Sequence, residues 1–137
     1  MAKKVLILSG SPRKNGNSDL LCNEFMRGAL ESGNEVTKIR VAEKKIAPCM
    51  GCYYCTKNNG ACAIKDDMAD VLQQIIDADV IVLASPVYFY SISAQLKATI
   101  DRTVARWLEV ENKEFYYIAT CAEAEPEAVE TTFACFH

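Results

Sequence analysis

A doubly wound α/β fold, with a parallel sheet between two layers of helices, is what this sequence predicts, and three observations predict it. Residues 4–8 (KVLIL) and 79–84 (DVIVLA) are short runs, almost wholly apolar and rich in β-branched residues, as strands buried on both faces must be. Each run stops at a turn signal, Ser9-Gly10-Ser11-Pro12 or Ser85-Pro86. Between and after them lie stretches with apolar residues at helical spacing. Strand, crossover helix and strand then wind in the right-handed sense that makes a parallel sheet.

The elements follow in order. Residues 4–8 read as a central strand. From Ser18 a helix begins, with Asp19 in its first turn, Leu21, Phe25 and Ala29 on one stripe, and Gly33-Asn34 as the stop. Residues 36–41 alternate, Thr37, Ile39 and Val41 against Lys38 and Arg40, which predicts a half-exposed edge strand. Residues 46–65 form a loop carrying cysteines and glycines. Asp66-Asp67 caps a helix whose apolar positions Met68, Val71, Leu72, Ile75 and Ile76 keep perfect helical spacing. After the strand at 79–84, Leu96, Ile100, Val104, Trp107 and Leu108 mark a third helix. Residues 115–119 (FYYIA) make a fourth strand, and Pro126 opens a last helix with Val129, Phe133 and Phe136 on one stripe. An edge-like second strand sets the strand order at 2-1-3-4, the flavodoxin-like winding, whose ligands sit beyond the carboxyl ends of strands 1 and 3. The loops at 9–18, 85–92 and 120–125 would then form one site.

Composition bounds the rest. The 137 residues have room for one domain, residues 1–137, and 50% hydrophobic against 24% charged residues excludes a disordered or membrane-spanning class. With 15 Lys and Arg against 18 Asp and Glu, the net charge of −3 offers no basic footprint for nucleic acid or an anionic membrane. Seven cysteines without a secretory leader predict a cytoplasmic protein with reduced thiols.

The first loop, residues 9–18, sets Ser9, Ser11, Asn17 and Ser18, the cations Arg13 and Lys14, and flexible glycines ahead of a helix N-terminus, a pattern that suits an anion. Neither G-x-G-x-x-G nor G-x-x-x-x-G-K-[ST] is present, so a monophosphate fits better than a dinucleotide or a nucleoside triphosphate; a plain polar turn is the alternative. The loop at 85–91 exposes Tyr88, Phe89 and Tyr90 at the same rim, which suits a planar heteroaromatic ring, or else packs one or two of these rings in the core. His137 is the one histidine and reads as a solvated terminus, so a Ser-His-Asp or Cys-His mechanism has no base within the fold.

Cys49-x2-Cys52-x2-Cys55-x6-Cys62 is the sharpest local constellation. Its spacing lets thiolates converge on a cuboidal 4Fe–4S cluster, and less naturally on zinc. Packed thiols or a redox disulfide remain the competing reading. Cys22, Cys121 and Cys135 lie in helix or strand patterns and read as core residues.

The motifs Gly10-Ser11-Pro12-Arg13-Lys14-Asn15-Gly16-Asn17-Ser18, the four-cysteine run with Asp66-Asp67-Met68, Ser85-Pro86-Val87-Tyr88, Leu96-Lys97 and Asp101-Arg102 together resemble the NAD(P)H-dependent FMN reductase and iron–sulfur flavoprotein family. That resemblance implies FMN, with its phosphate in the loop of Ser9, Ser11, Arg13, Asn17 and Ser18. The ring would lie against Pro86, Val87, Tyr88, Phe89 and Tyr90, with Thr120 and Cys121 beyond it. It implies hydride transfer from NAD(P)H to the flavin and on to a small-molecule or ferredoxin-like acceptor, with no catalytic side chain. It also implies a 4Fe–4S cluster on Cys49, Cys52, Cys55 and Cys62 as an electron relay. The family's usual fifth strand is absent from this sequence, which predicts an exposed edge at strand 4 covered by a second copy. The alternative is a shortened, non-catalytic flavodoxin-like unit.

Overall fold

Residues 1–136 are described by a computed structural model, and His137, read above as a solvated terminus, lies outside the described residues. Strands β1 (Lys4–Ser9), β2 (Glu35–Arg40), β3 (Val80–Pro86) and β4 (Glu114–Thr120) form one parallel sheet in the order β2-β1-β3-β4. The helices are α1 (Asn17–Glu31), α2 (Tyr54–Lys57), α3 (Met68–Asp77), α4 (Ala94–Arg102) and α5 (Glu127–Ala134). The expected winding is therefore present, and β2 and β4 are its edges.

Alternation along β1 and β3 feeds two cores. Leu6, Leu8, Ile81 and Leu83 pack on one face with Met68, Val71, Leu72 and Ile75 of α3 and Leu96 of α4. Val5, Ile7, Val80 and Val82 pack on the other with Cys22 of α1. The runs had to be apolar at every position from Val5 and from Val80 onward because a strand's successive side chains enter opposite layers. Each buried Leu, Ile or Val contributes about 1.5–3 kcal/mol. No helix among the described residues is long and apolar enough to cross a membrane.

Three helical stripes differ from expectation. In α1 the inward positions are Ser18, Asp19 and Cys22, with Phe25, Met26 and Ala29 packed beside them, whereas Leu21 is 46% exposed. The cause is Asp19, whose carboxylate is hydrogen-bonded to Ser9 and ion-paired with Lys38. These bonds turn that side of the helix onto the sheet. Helix α4 ends at Arg102, and a 3-10 segment (Thr103–Glu109) with a non-helical Arg106 follows, so Val104, Trp107 and Leu108 lie exposed. In α5 the buried positions are Ala128 and Thr132, one residue away from the predicted Val129 and Phe133.

The cysteines divide. Burial pushes the Cys22 thiol up to about 11, which makes it an inert packing residue as expected. Cys121 and Cys135 are exposed, contrary to the core reading, because one follows the end of β4 and the other ends α5.

Candidate functional site

Three loops meet at the carboxyl rim of the sheet, joined by hydrogen bonds. The Gly10 N–H donates to the Ala84 carbonyl at 2.7 Å, and Val87 N–H donates to the Thr120 carbonyl at 2.7 Å. Ser93 Oγ donates to the Gly10 carbonyl at 2.6 Å, and the Ser93 N–H donates to Ser85 Oγ at 2.8 Å. A side chain at residue 10 has no room: a Cβ there would stand 2.8 Å from the Ala84 carbonyl oxygen and 2.9 Å from Leu96 Cβ. Only glycine lets the two strand ends approach so closely.

Asp19 organises the first loop from below. Its carboxylate accepts from Ser9 Oγ at 2.9 Å and from the Asn15 N–H at 3.0 Å. Lys38 Nζ lies 2.6 Å from Asp19 Oδ1 and Arg40 Nε 3.6 Å from it. Burial raises the carboxyl's pKa, but the hydrogen bonds from Lys38, Asn15 and Ser9 outweigh it and hold Asp19 below the usual carboxylate range. The sequence pattern places Asp19 only in the first turn of a helix, and Lys38 and Arg40 only on the polar side of a half-exposed edge strand. A carboxylate one residue past a Ser-rich loop, with two cations on the next strand, was the signal available.

The residues expected to hold phosphate separate into supports and candidate ligands. Ser9 and Ser11 are buried, and their hydroxyls are engaged with Asp19 and with Arg13 backbone atoms. Arg13 and Asn17 are exposed, and Ser18 is buried at the first turn of α1. No side chain caps the N-terminus of α1, so its backbone N–H groups and dipole face the rim. That donor set fits a phosphate.

Pro86 is buried and Val87 half-buried, while Tyr88, Phe89 and Tyr90 are exposed, so none of these rings is a core residue. Tyr88 and Ser91 close a two-residue turn by exchanging hydrogen bonds of 2.9 and 3.2 Å. Phe89 and Tyr90 between them have φ of 48° and 63°. Bulky residues in this left-handed region cost roughly 1–2 kcal/mol each, so neighbours must hold the turn. Val87, Phe89 and Tyr90 line a cavity of about 210 Å³ with Cys121, Glu123 and Ala128. Thr120, half-buried, stands at the exit of β4 beside it. The structure thus brings together the predicted ring-side residues, and a flat ring joined to a phosphate fits the donors and apolar walls of this rim.

The cysteine loop is built differently. Arg102 Nη1 and Nη2 donate to Asp66 Oδ2 and Oδ1 at 2.8 and 2.9 Å, and Nη1 also donates to the Ala47 carbonyl at 2.8 Å. Asp66 accepts in turn from the N–H groups of Ala47 at 2.9 Å and Met68 at 3.1 Å. Asp67 is the N-cap residue of α3, but the side chain that accepts from the helix's first N–H is that of Asp66, while the Asp67 carboxylate accepts from the Lys45 N–H at 2.7 Å. Burial raises the Asp66 pKa, yet Arg102 and the two N–H groups hold it below the usual range. Between these feet the loop stays open. Cys49 and Cys52 are exposed, Cys55 and Cys62 half-buried, and all are free thiols. Among the described residues no three His, Cys, Asp or Glu side chains gather as a metal-binding set. The four thiols suit a cluster by type and spacing, but this arrangement does not assemble one. A cavity of about 630 Å³ lies between the loop and α3, lined by Cys62, Met68, Arg102 and Arg106. It is larger than the hollow at the rim.

The sequence matches the family described as NADPH-dependent FMN reductase over residues 3–131. An iron–sulfur flavoprotein of Methanocaldococcus jannaschii is 46% identical over 100 residues, which cover 73% of this chain and 51% of the relative. An FMN-dependent NADH-azoreductase of Bacillus anthracis, solved in complex with FMN, superposes with a TM-score of 0.72 at 16% identity, covering 97% of this chain and 78% of that one. An NAD(P)H:quinone oxidoreductase of Methanothermobacter marburgensis gives 0.73 at 17% identity, with 91% and 68% covered. At such identities the two structures speak for the fold alone. The chain spans about half the length of the curated relatives it matches. With its sheet order, its hydrogen-bonded rim and its sequence in agreement, the chain belongs to the NADPH-dependent FMN reductase family.

Proposed function

We propose that residues 1–137 form one FMN-binding unit of an NAD(P)H-dependent oxidoreductase. One observation carries the reading: the loops after β1, β3 and β4 are tied by hydrogen bonds into a single rim that pairs an uncapped helix N-terminus with an aromatic turn. The chemistry a bound FMN supplies is two-electron transfer from a reduced nicotinamide to an acceptor. The N–H groups at Asn17 and Ser18 and the charge of Arg13 would hold the phosphate, while Ser9 and Ser11 brace the loop from inside. The segment from Pro86 to Tyr90 would flank the ring, with Thr120 and Cys121 as the opposite wall. No side chain has to move a proton, since orientation and backbone dipoles are the protein's contribution. The acceptor is a small molecule or a ferredoxin-like protein. The density of free thiols supports a reducing, cytoplasmic compartment. The exposed edge at β4, with Phe115 and Tyr116 outward, supports a homo-oligomer in which a second copy covers it.

Anaerobic titration tests this. FMN fluorescence should be quenched at one equivalent of protein, and NAD(P)H should bleach the bound flavin. Unquenched, unbleached flavin would overturn the reading in favour of a non-catalytic unit, and a monomer at every dilution would remove the oligomer.

A second reading, an iron–sulfur flavoprotein, has its own support in the Cys49, Cys52, Cys55 and Cys62 spacing and in relatives of that name at 35–46% identity. The loop would have to close around a cluster. Iron and acid-labile sulfide in anaerobically purified protein, at about four each per chain, would establish it; their absence leaves the flavin reading alone.

A further inference from the structure

We propose that Thr131, on helix α5, is a positioning residue for the flavin ring, acting through the Phe89–Tyr90 turn; the inference rests on the FMN reading above. A two-residue turn with positive φ at both centres is ordinarily the province of Asn-Gly, and here it is Phe-Tyr. Left to itself this turn would relax. On the entry side it is braced by the Val87 N–H to the Thr120 carbonyl. On the exit side the braces come from α5: Thr131 Oγ1 donates to the Tyr90 carbonyl, and Cys135 Sγ lies 3.5 Å from Ser91 Oγ.

Helix α5 is itself fixed to the sheet. Tyr117 Oη donates to the Phe136 carbonyl at 3.1 Å, and the two rings stack with centroids 4.7 Å apart and planes 3° from parallel. Ala128, on the first turn of the same helix, lines the ring-side cavity with Val87, Phe89 and Tyr90. Thr131 does not line that cavity. Its hydroxyl therefore acts on the ring only by way of the Tyr90 carbonyl, and this bond holds in place a backbone conformation that the residue types oppose.

The full chain carrying Thr131→Val or Thr131→Ser is titrated with FMN, and the midpoint potential of the bound flavin is measured for each. Losing one hydrogen bond to a strained turn should weaken FMN binding about tenfold in the valine variant, while serine, which keeps the donor, stays within about twofold of the parent. The potential should move in the valine variant and return in the serine variant, whereas a general loss of packing would lower thermal stability without this pattern. Parent-like affinity and potential in Thr131→Val would overturn the inference and leave the FMN reading standing. Failure of the parent chain to quench FMN would overturn both. Should the valine variant not fold, hydrogen exchange of the parent decides: saturating FMN should slow the amides of residues 129–135, and unchanged exchange there would overturn the inference.

Discussion

The loop after β1 and the loop after β2 leave the same rim, and each is organised by a carboxylate that gathers hydrogen-bond donors of the loop and a cationic partner. They differ in where the carboxylate grips. Asp19 holds Ser9 at the start of its loop and Asn15 in the middle, so few residues run unsupported. Asp66 and Arg102 hold Ala47 at one foot and Met68 at the other, and the span that carries all four cysteines lies between. That span includes a left-handed Tyr53 with φ of 55°. Inside that span the bonds are local: helix α2, the Gly60 N–H donating to the Cys55 carbonyl at 3.0 Å and the Ala61 N–H donating to the Asn58 carbonyl at 2.9 Å order residues 53–61 without drawing the thiols together. The first loop is thus braced from within by one carboxylate before any ligand arrives, and the second is anchored at its ends and ordered only locally between them, so its thiols stay apart.

The largest break in this comparison comes from the feet of the cysteine loop. Arg102→Leu leaves Asp66 charged and nearly buried, and urea unfolding should show a loss of about 3–5 kcal/mol. FMN affinity of the folded fraction should change far less than stability does. Asp19→Asn comes next, since it removes the charge that Lys38 and Arg40 face and weakens the bond to Asn15. About 2 kcal/mol of stability should be lost, this time with a clear loss of FMN affinity in a quenching titration. An equal effect of both variants on FMN binding would erase the distinction between the loops.

Acid sharpens it. Asp19 and Asp66 both have pKa values below the ordinary carboxylate value near 4, so the unfolded chain takes up their protons first as pH falls. Their stabilisation is fully present above that value and is lost as pH drops through the folded-state values. Urea unfolding at successive pH values should show a shallower acid slope in Asp19→Asn than in the parent. The smallest effect belongs to the body of the cysteine loop. Cys52→Ser, at an exposed site, should alter stability by less than about 0.5 kcal/mol while removing one equivalent of reactive thiol.

Much of the fold was legible because one-dimensional patterns carry it. Residues 5–8 and 80–84 became fully buried strand positions, with Lys4 exposed at the start of β1 and Asp79 exposed just ahead of β3, and Met68, Val71, Leu72 and Ile75 became the buried face of α3. The rim loops were legible as a group, since the winding places them together once the strands are known. Side-chain facing was less so: Leu21, Trp107 and Leu108 have core chemistry yet lie outside. In each case a polar residue won the inward position. Asp19 turned α1, and Arg102 ended α4 at its pair with Asp66. An ion pair between residues 36 positions apart leaves no periodic trace.

By itself the sequence determined the order of elements, the parallel winding and the rim where chemistry would collect, because burial on two faces of a sheet dictates apolar runs and burial on one face of a helix dictates spacing. Only the tertiary structure decided which hydroxyls brace the first loop and which groups are left for a ligand. It also decided that Thr131 reaches the aromatic turn and that the cysteines stand apart. Those outcomes depend on distances between segments far apart in the chain, set by packing and hydrogen-bond geometry rather than by local pattern.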